Sequence, residues 1–184
     1  MRISRTVAAV GALAAVAAVL AGCGSGGGGG DVHEGTDAHE SINPLDPDTL
    51  DADETATTAM QAILSWQPAI DASKSDALRR ARPWLGGELL ATVQNDGAAP
   101  GVRPDREWTA WKNSGDALSA LCVRDDSTPA APKGMRTLVI DVTCTQTALH
   151  AAGSSTRLSP ETWRTTVTRT DDGWRMTDYR YHQQ

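Results

Sequence analysis

From Thr137 to Leu149 apolar and polar side chains alternate with period two. Leu138, Ile140, Val142 and Cys144 share one face, and Val139, Asp141, Thr143 and Thr145 share the other. A segment of that length and period is a long strand with one buried face. It therefore demands neighbouring strands and a layer to cover its apolar side. Residues 118–123 and 162–170 read as strands, the second with Trp163, Thr165, Val167 and Arg169 on one face. Asp171-Asp172-Gly173 is a hairpin-turn signal leading into a last strand over 174–181. Between them, 125–134 is a polar, proline-containing loop and 150–160 a glycine–serine connection.

Upstream the period changes to 3.6. Ala52, Ala56, Ala59, Ile63 and Trp66 form one stripe of a helix over 48–65, widened by Met60 and Leu64 and stopped by Pro68. Asp46, Asp48, Asp51 and Asp53 place negative charge at its start, where the helix dipole favours it. They lack the glycine and terminal glutamate spacing of a calcium loop. Ser73 with Asp76 reads as a capping box for a helix reaching Arg82. Pro83 ends it, and 88–93 forms further helical turns after Gly86-Gly87. Residues 95–106 read as loop. Trp108 and Trp111, three apart, are a candidate interaction surface or a cover for the end of the core. The second reading has weight because the chain has six tryptophans and no phenylalanine. Helices first and antiparallel strands afterwards define an α+β class.

The first 22 residues are of another kind. A short basic start with Arg2 and Arg5 precedes an uncharged run of small and apolar residues over 7–21. As helix that run is about 22 Å long, short of the roughly 30 Å hydrocarbon core of a membrane. It reads as a secretory signal. Leu20-Ala21-Gly22-Cys23 resembles a lipoprotein-processing box, which implies cleavage before Cys23 and lipidation of its thiol by diacylglycerol, with palmitate-type chains as the membrane anchor. The organisation is then a signal peptide at 1–22, a flexible tether at 23–47 opening on five glycines, and a folded domain at 48–184. His33 and His39 in the tether have no scaffold to make them metal ligands.

With Cys23 lipidated, Cys122 and Cys144 remain, an even pair in an exported chain. They are a candidate disulfide, with two separately buried thiols as the alternative. The leader holds two of the 17 basic residues and none of the 23 acidic ones, so net charge passes from −6 to −8 without it. An acidic chain without a basic stripe argues against nucleic acid as a partner.

The order of alanine-rich helix, Pro83-Trp84-Leu85 segment, paired tryptophans and late strands resembles the nuclear-transport-factor-2-like (NTF2-like) cone fold. The ending Thr162-Trp163-Arg164 … Asp171-Asp172-Gly173-Trp174-Arg175-Met176-Thr177-Asp178 is similar to its last hairpin. Within that superfamily the chain looks most like exported domains of actinobacterial proteins associated with conjugative transfer or lipid import. The resemblance implies N-terminal helices packed on a curved antiparallel sheet. It also implies a place on the outer face of the cell membrane, with envelope or transport membrane proteins as partners. The fold alone does not choose an activity.

No catalytic motif stands out. There is no nucleophile elbow, no His-x-x-x-His spacing and no phosphate-binding glycine motif in a strand–turn–helix setting. No metal or cofactor site is read. Asp141 is the most suggestive carboxylate, with Asp178 a similar candidate: facing an apolar cavity it would become a proton carrier, but its alternation places it with Thr143 and Thr145. Asp178, beside Tyr179, reads as an ordinary sheet carboxylate. The expected function is a non-catalytic, membrane-anchored interaction module of an envelope complex. A carrier of a small apolar ligand and an isomerase- or dehydratase-like enzyme are the alternatives. Replacing Cys23 by serine is expected to release the chain from the membrane fraction, and undiminished retention on fractionation would refute the lipid-box reading.

Overall fold

The computed structural model describes residues 46–95 and 106–182. The leader at 1–22, Cys23 and all but the last two residues of the tether lie outside them. Helix α1 spans Ala52–Leu64, α2 Ser75–Arg80, α3 Gly87–Gln94 and α4 Arg106–Ser114, with a 3₁₀ turn at Arg82–Trp84. The strands are β1 Ala117–Arg124, β2 Thr137–Leu149, β3 Ser155–Arg157, β4 Glu161–Thr170 and β5 Gly173–Tyr181.

Helix α1 starts at a capping box that the sequence reading did not single out. Asp51 accepts from the Glu54 amide at 2.8 Å while Glu54 accepts from the Asp51 amide at 2.9 Å, so two orphan donors are satisfied together. The residues before it, including Asp48, lie in a turn closed by Asp46. The helix therefore begins later than its acidic run. The box read at Ser73 forms only by half. Asp76 accepts from the Ser73 amide at 3.0 Å, but the N-cap is Lys74, and the Ser73 hydroxyl accepts from the Ser75 amide at 3.2 Å, not from that of Asp76.

The stripe Ala52, Ala56, Ala59, Met60 and Ile63 is buried against β1, β2, β4 and β5. Ala56, Ala59 and Met60 are fully covered, the small alanine side chains letting the helix lie close on the sheet. The inner face beneath it is Leu118, Ala120 and Cys122 of β1, Ile140, Val142 and Cys144 of β2, Thr165 and Val167 of β4, and Met176 and Tyr179 of β5. Cys122 and Cys144 stand directly opposite one another in the β1–β2 register and are joined by a disulfide with Cα atoms 4.1 Å apart. That is the close spacing of a pair whose main-chain groups bond away from each other.

The α+β class holds, but the sheet is not an NTF2-like cone. Its strands run β1–β2–β4–β5, all antiparallel, with β3 on the far end of β2, and the path is open. The two edges do not meet; each is covered by a short segment instead. Trp66 exchanges both main-chain hydrogen bonds with Leu118 of β1, at 2.9 and 2.8 Å. On the other side Leu85 bridges Met176 of β5, and the Gly86 amide donates to Met176 at 2.9 Å. A Cβ on Gly86 would stand 2.7 Å from that of Arg175, so this approach requires glycine. Helix α1 lies over the inner face and Trp66 and Leu85 take the edges, so the first and last strands do not pair with one another. Alternation in a sequence names a strand's faces; it is silent about curvature.

Three of the six tryptophans collect at one end. Trp108 and Trp111 both pack on Trp66, ring centroids 6.1 Å apart in each case. Trp108 is 3% exposed and so belongs to the core; Trp111 is half-buried at its rim. The surface read at this pair is thus a plug on Trp66, with Lys74 over the Trp66 ring at 4.2 Å. Strand β3 is exposed throughout, which is why no alternation announced it in the 150–160 connection. Met60→Ala is expected to cost about 2–5 kcal/mol and reduction of the disulfide about 3 kcal/mol. Urea unfolding of the two forms checks both, and unchanged midpoints would overturn this description of the core.

Candidate functional site

Strand β1 ends at Arg124, opposite Val142, so the first five residues of β2, Thr137–Asp141, have no β1 partner. The connection between the strands runs beside this vacated edge. Its first turn is fastened to β2. The Asp125 carboxylate accepts from the Ser127 amide at 2.9 Å, from the Ser127 hydroxyl at 2.6 Å and from the Thr143 hydroxyl at 2.7 Å. These bonds pull its pKa down to about 2. The buried Thr128 hydroxyl lies 3.0 Å from the Asp141 amide nitrogen and 3.2 Å from its carbonyl oxygen. The Asp125 amide donates to the same carbonyl at 2.8 Å.

Arg124 then ties the connection to α1. Its guanidinium donates to Asp53 at 3.2 Å and to the carbonyls of Thr128 and Pro129 at 2.7 and 3.2 Å. Residues 129–136 beyond that point form an exposed arch. Between the arch, the start of α1 and the β2 edge lies a groove of about 620 Å³. Ala52, Leu138, Ile140 and Trp174 give it apolar walls, and Pro129, Pro132 and Met135 line its outer side.

The charged groups at its border are already engaged. Arg164 holds Asp141 in a two-pronged pair, both N···O distances 2.8 Å. The fork keeps the Asp141 carboxyl below its usual range despite partial burial. An acid so held stays ionised near neutrality, on the polar face where alternation places it. Asp178 is exposed; the neighbouring Tyr179 hydroxyl is buried with no hydrogen-bond partner, and burial pushes it up to about 12.

Away from the groove, His150 Nδ1 lies 2.9 Å from Asp116 and its Nε2 2.8 Å from the Thr156 hydroxyl. The Asp116 carboxylate also accepts from the Ala151 amide at 3.1 Å, so the cluster joins the start of β1 to the β2–β3 turn. Sequence reading missed it because its members are 34 and 6 positions apart. Among the described residues no group of three His, Cys, Asp or Glu side chains is placed to hold a metal ion. None of the described helices is long and apolar enough to cross a membrane.

Asp125 is expected to make stability sensitive to acid. Its folded pKa lies below the ordinary 3.8, so its contribution is complete above that value and is lost as pH falls toward about 2. Asp141 acts in the same direction. Thr143→Val removes one donor to Asp125 and is expected to raise the acid midpoint of its side-chain carbon signal in an NMR titration. An unmoved midpoint would show that the hydroxyl does not hold the carboxylate.

No protein-family model matches the chain, and no curated protein matches it. Among solved structures it is similar to a periplasmic fragment of TraM, at 10% identity and a TM-score of 0.43, over 71% of this chain and 93% of that one. It is also similar to the intermembrane space region of the chloroplast protein ARC6, at 13% identity and a TM-score of 0.35, over 72% of this chain and 97% of that one.

Proposed function

We propose that the chain is a lipid-anchored, extracytoplasmic docking module of an envelope complex, with the groove at the β1–β2 connection as its contact site. The observation that carries this reading is the groove itself, apolar inside and bordered by carboxylates already bound to arginines, Asp53 to Arg124 and Asp141 to Arg164. Paired in this way, the charges shape and orient a contact, and the third carboxylate at the border, Asp51, caps α1. The residues around Cys23 supply the rest. A lipid there would anchor the domain to the outer face of the membrane.

The volume of the groove supports a second reading. About 620 Å³ falls in the range of small-ligand cavities, so a carrier of an apolar molecule would use the same walls. The two readings part in one experiment. A photo-crosslinking residue is placed at Met135, on the groove, and separately at Ile70, which is 77% exposed and does not line it. In intact cells the docking reading expects an envelope membrane protein captured from position 135, not from 70, and lost when Cys23 is replaced by serine. No capture from 135, with an apolar molecule in the organic extract of the purified chain, would establish the carrier instead.

A further inference from the structure

We propose that the groove receives an extended polypeptide segment of a partner protein, which adds to the sheet as a short strand on β2 and hydrogen-bonds to the main chain of Val139. This rests on the docking reading and specifies how the contact is made.

The orientation of the β2 main chain follows from bonds already described. Asp141 turns its amide and its carbonyl away from β4, toward Thr128 and Asp125. The carbonyl of Ile140, one position earlier, faces β4, where it accepts from the Thr165 hydroxyl at 2.8 Å. Main-chain groups along an antiparallel strand alternate between its two sides. Val139 therefore points its N–H and C=O the same way as Asp141, into the edge that β1 has vacated. At Asp141 that edge is satisfied by the connection; at Val139 no group among the described residues bonds it. The Val139 side chain is 56% exposed beside it.

An unmatched donor and acceptor on one residue, lying in the plane of a sheet, are the complement of another strand's amide and carbonyl. An apolar small molecule would fill the groove and leave both unanswered. A second copy meets an obstacle: its own β2 edge carries the same arch, and pairing two such edges sets arch against arch. An extended segment passes between arch and edge. The arch has room to yield, since residues 129–136 are exposed and are pinned by Arg124 at one end and by the Arg136–Arg169 main-chain bond at the other.

The walls also set the side chains of the guest. With Asp141 already bonded by the connection, the free edge over 137–140 is about 10 Å of strand, enough for three or four guest residues. Those pointing inward meet Ala52, Leu138, Ile140 and Trp174, and so must be apolar. Those pointing outward lie beside Val139 and the Asp141–Arg164 pair, where polar or β-branched residues fit. The recognised chemistry is thus a short extended peptide of alternating apolar and polar residues.

The test pans a displayed library of short random peptides against the detergent-solubilised full chain. Selected peptides are expected to show that alternation and to slow hydrogen exchange of the Val139 amide, observed by NMR in the unmutated chain. Their affinity is expected to fall about tenfold or more in Val139→Pro, which removes the N–H and leaves the partner's carbonyl unmatched. Val139→Thr, which keeps the N–H, should bind within about threefold of the unmutated chain. The exchange measurement stands even if the proline variant does not fold. Peptides that bind without protecting the Val139 amide, or a chain that selects none while position 135 still captures an envelope protein, would overturn strand addition and leave docking in place. Dimerisation abolished by Val139→Pro would assign the edge to a second copy and overturn it too. No capture at 135 and no selected peptide would remove the docking reading itself.

Discussion

Ala56 and Ala59 bring α1 so near the sheet that its main chain, rather than long side chains, sets the spacing of the two layers, and Met60 and Ile63 fill what remains. Everything else is arranged around that seat. The capping box at Asp51–Glu54 fixes where the helix starts. Its end is fixed just as firmly, because the chain leaving it pairs at once with β1 through Trp66, while the Trp66 indole donates to the Ile63 carbonyl at 2.8 Å. One residue thus closes the last helical turn, covers a sheet edge and receives Trp108 and Trp111. Three of the chain's six tryptophans meet where these elements converge, and two of them attach α4 to the body.

The layered organisation was legible in the sequence because it rests on periodicity. The bounds of β2 coincide with the alternating run, and the buried stripe of α1 is the one its 3.6-residue spacing traced. The closed cone was not there to be read, since nothing in alternation reports whether two edge strands meet; here Trp66 and Leu85 occupy those edges with single bridges. Such bridges have no sequence period at all. Strand β3 escaped for the related reason that all three of its residues are exposed.

The candidate site was legible only in part. Asp141 was placed on the correct face by alternation, but its partner Arg164 lies 23 positions away and is brought to it by the β2–β4 register. The groove owes its existence to a mismatch of lengths, eight residues in β1 against 13 in β2. A reader of strands sees both lengths and still cannot tell which end of the longer one is left uncovered. The register decides that, and the Cys122–Cys144 pair marks it. Arg124, which braces the connection against α1, lies one position beyond the strand read over 118–123 and was not singled out.

The disulfide has a consequence for the connection it encloses. Residues between Cys122 and Cys144 form a covalent ring, and the arch is part of its circumference. In the oxidised chain that ring is closed before folding begins, so the entropy of bringing its ends together is not charged again to the folded state. Lengthening or shortening the arch alters the circumference in both states, and the difference largely cancels. Insertions that would loosen an ordinary hairpin are therefore buffered here. The part of the molecule that borders the groove is free to vary in length and composition while the sheet beneath it keeps its register.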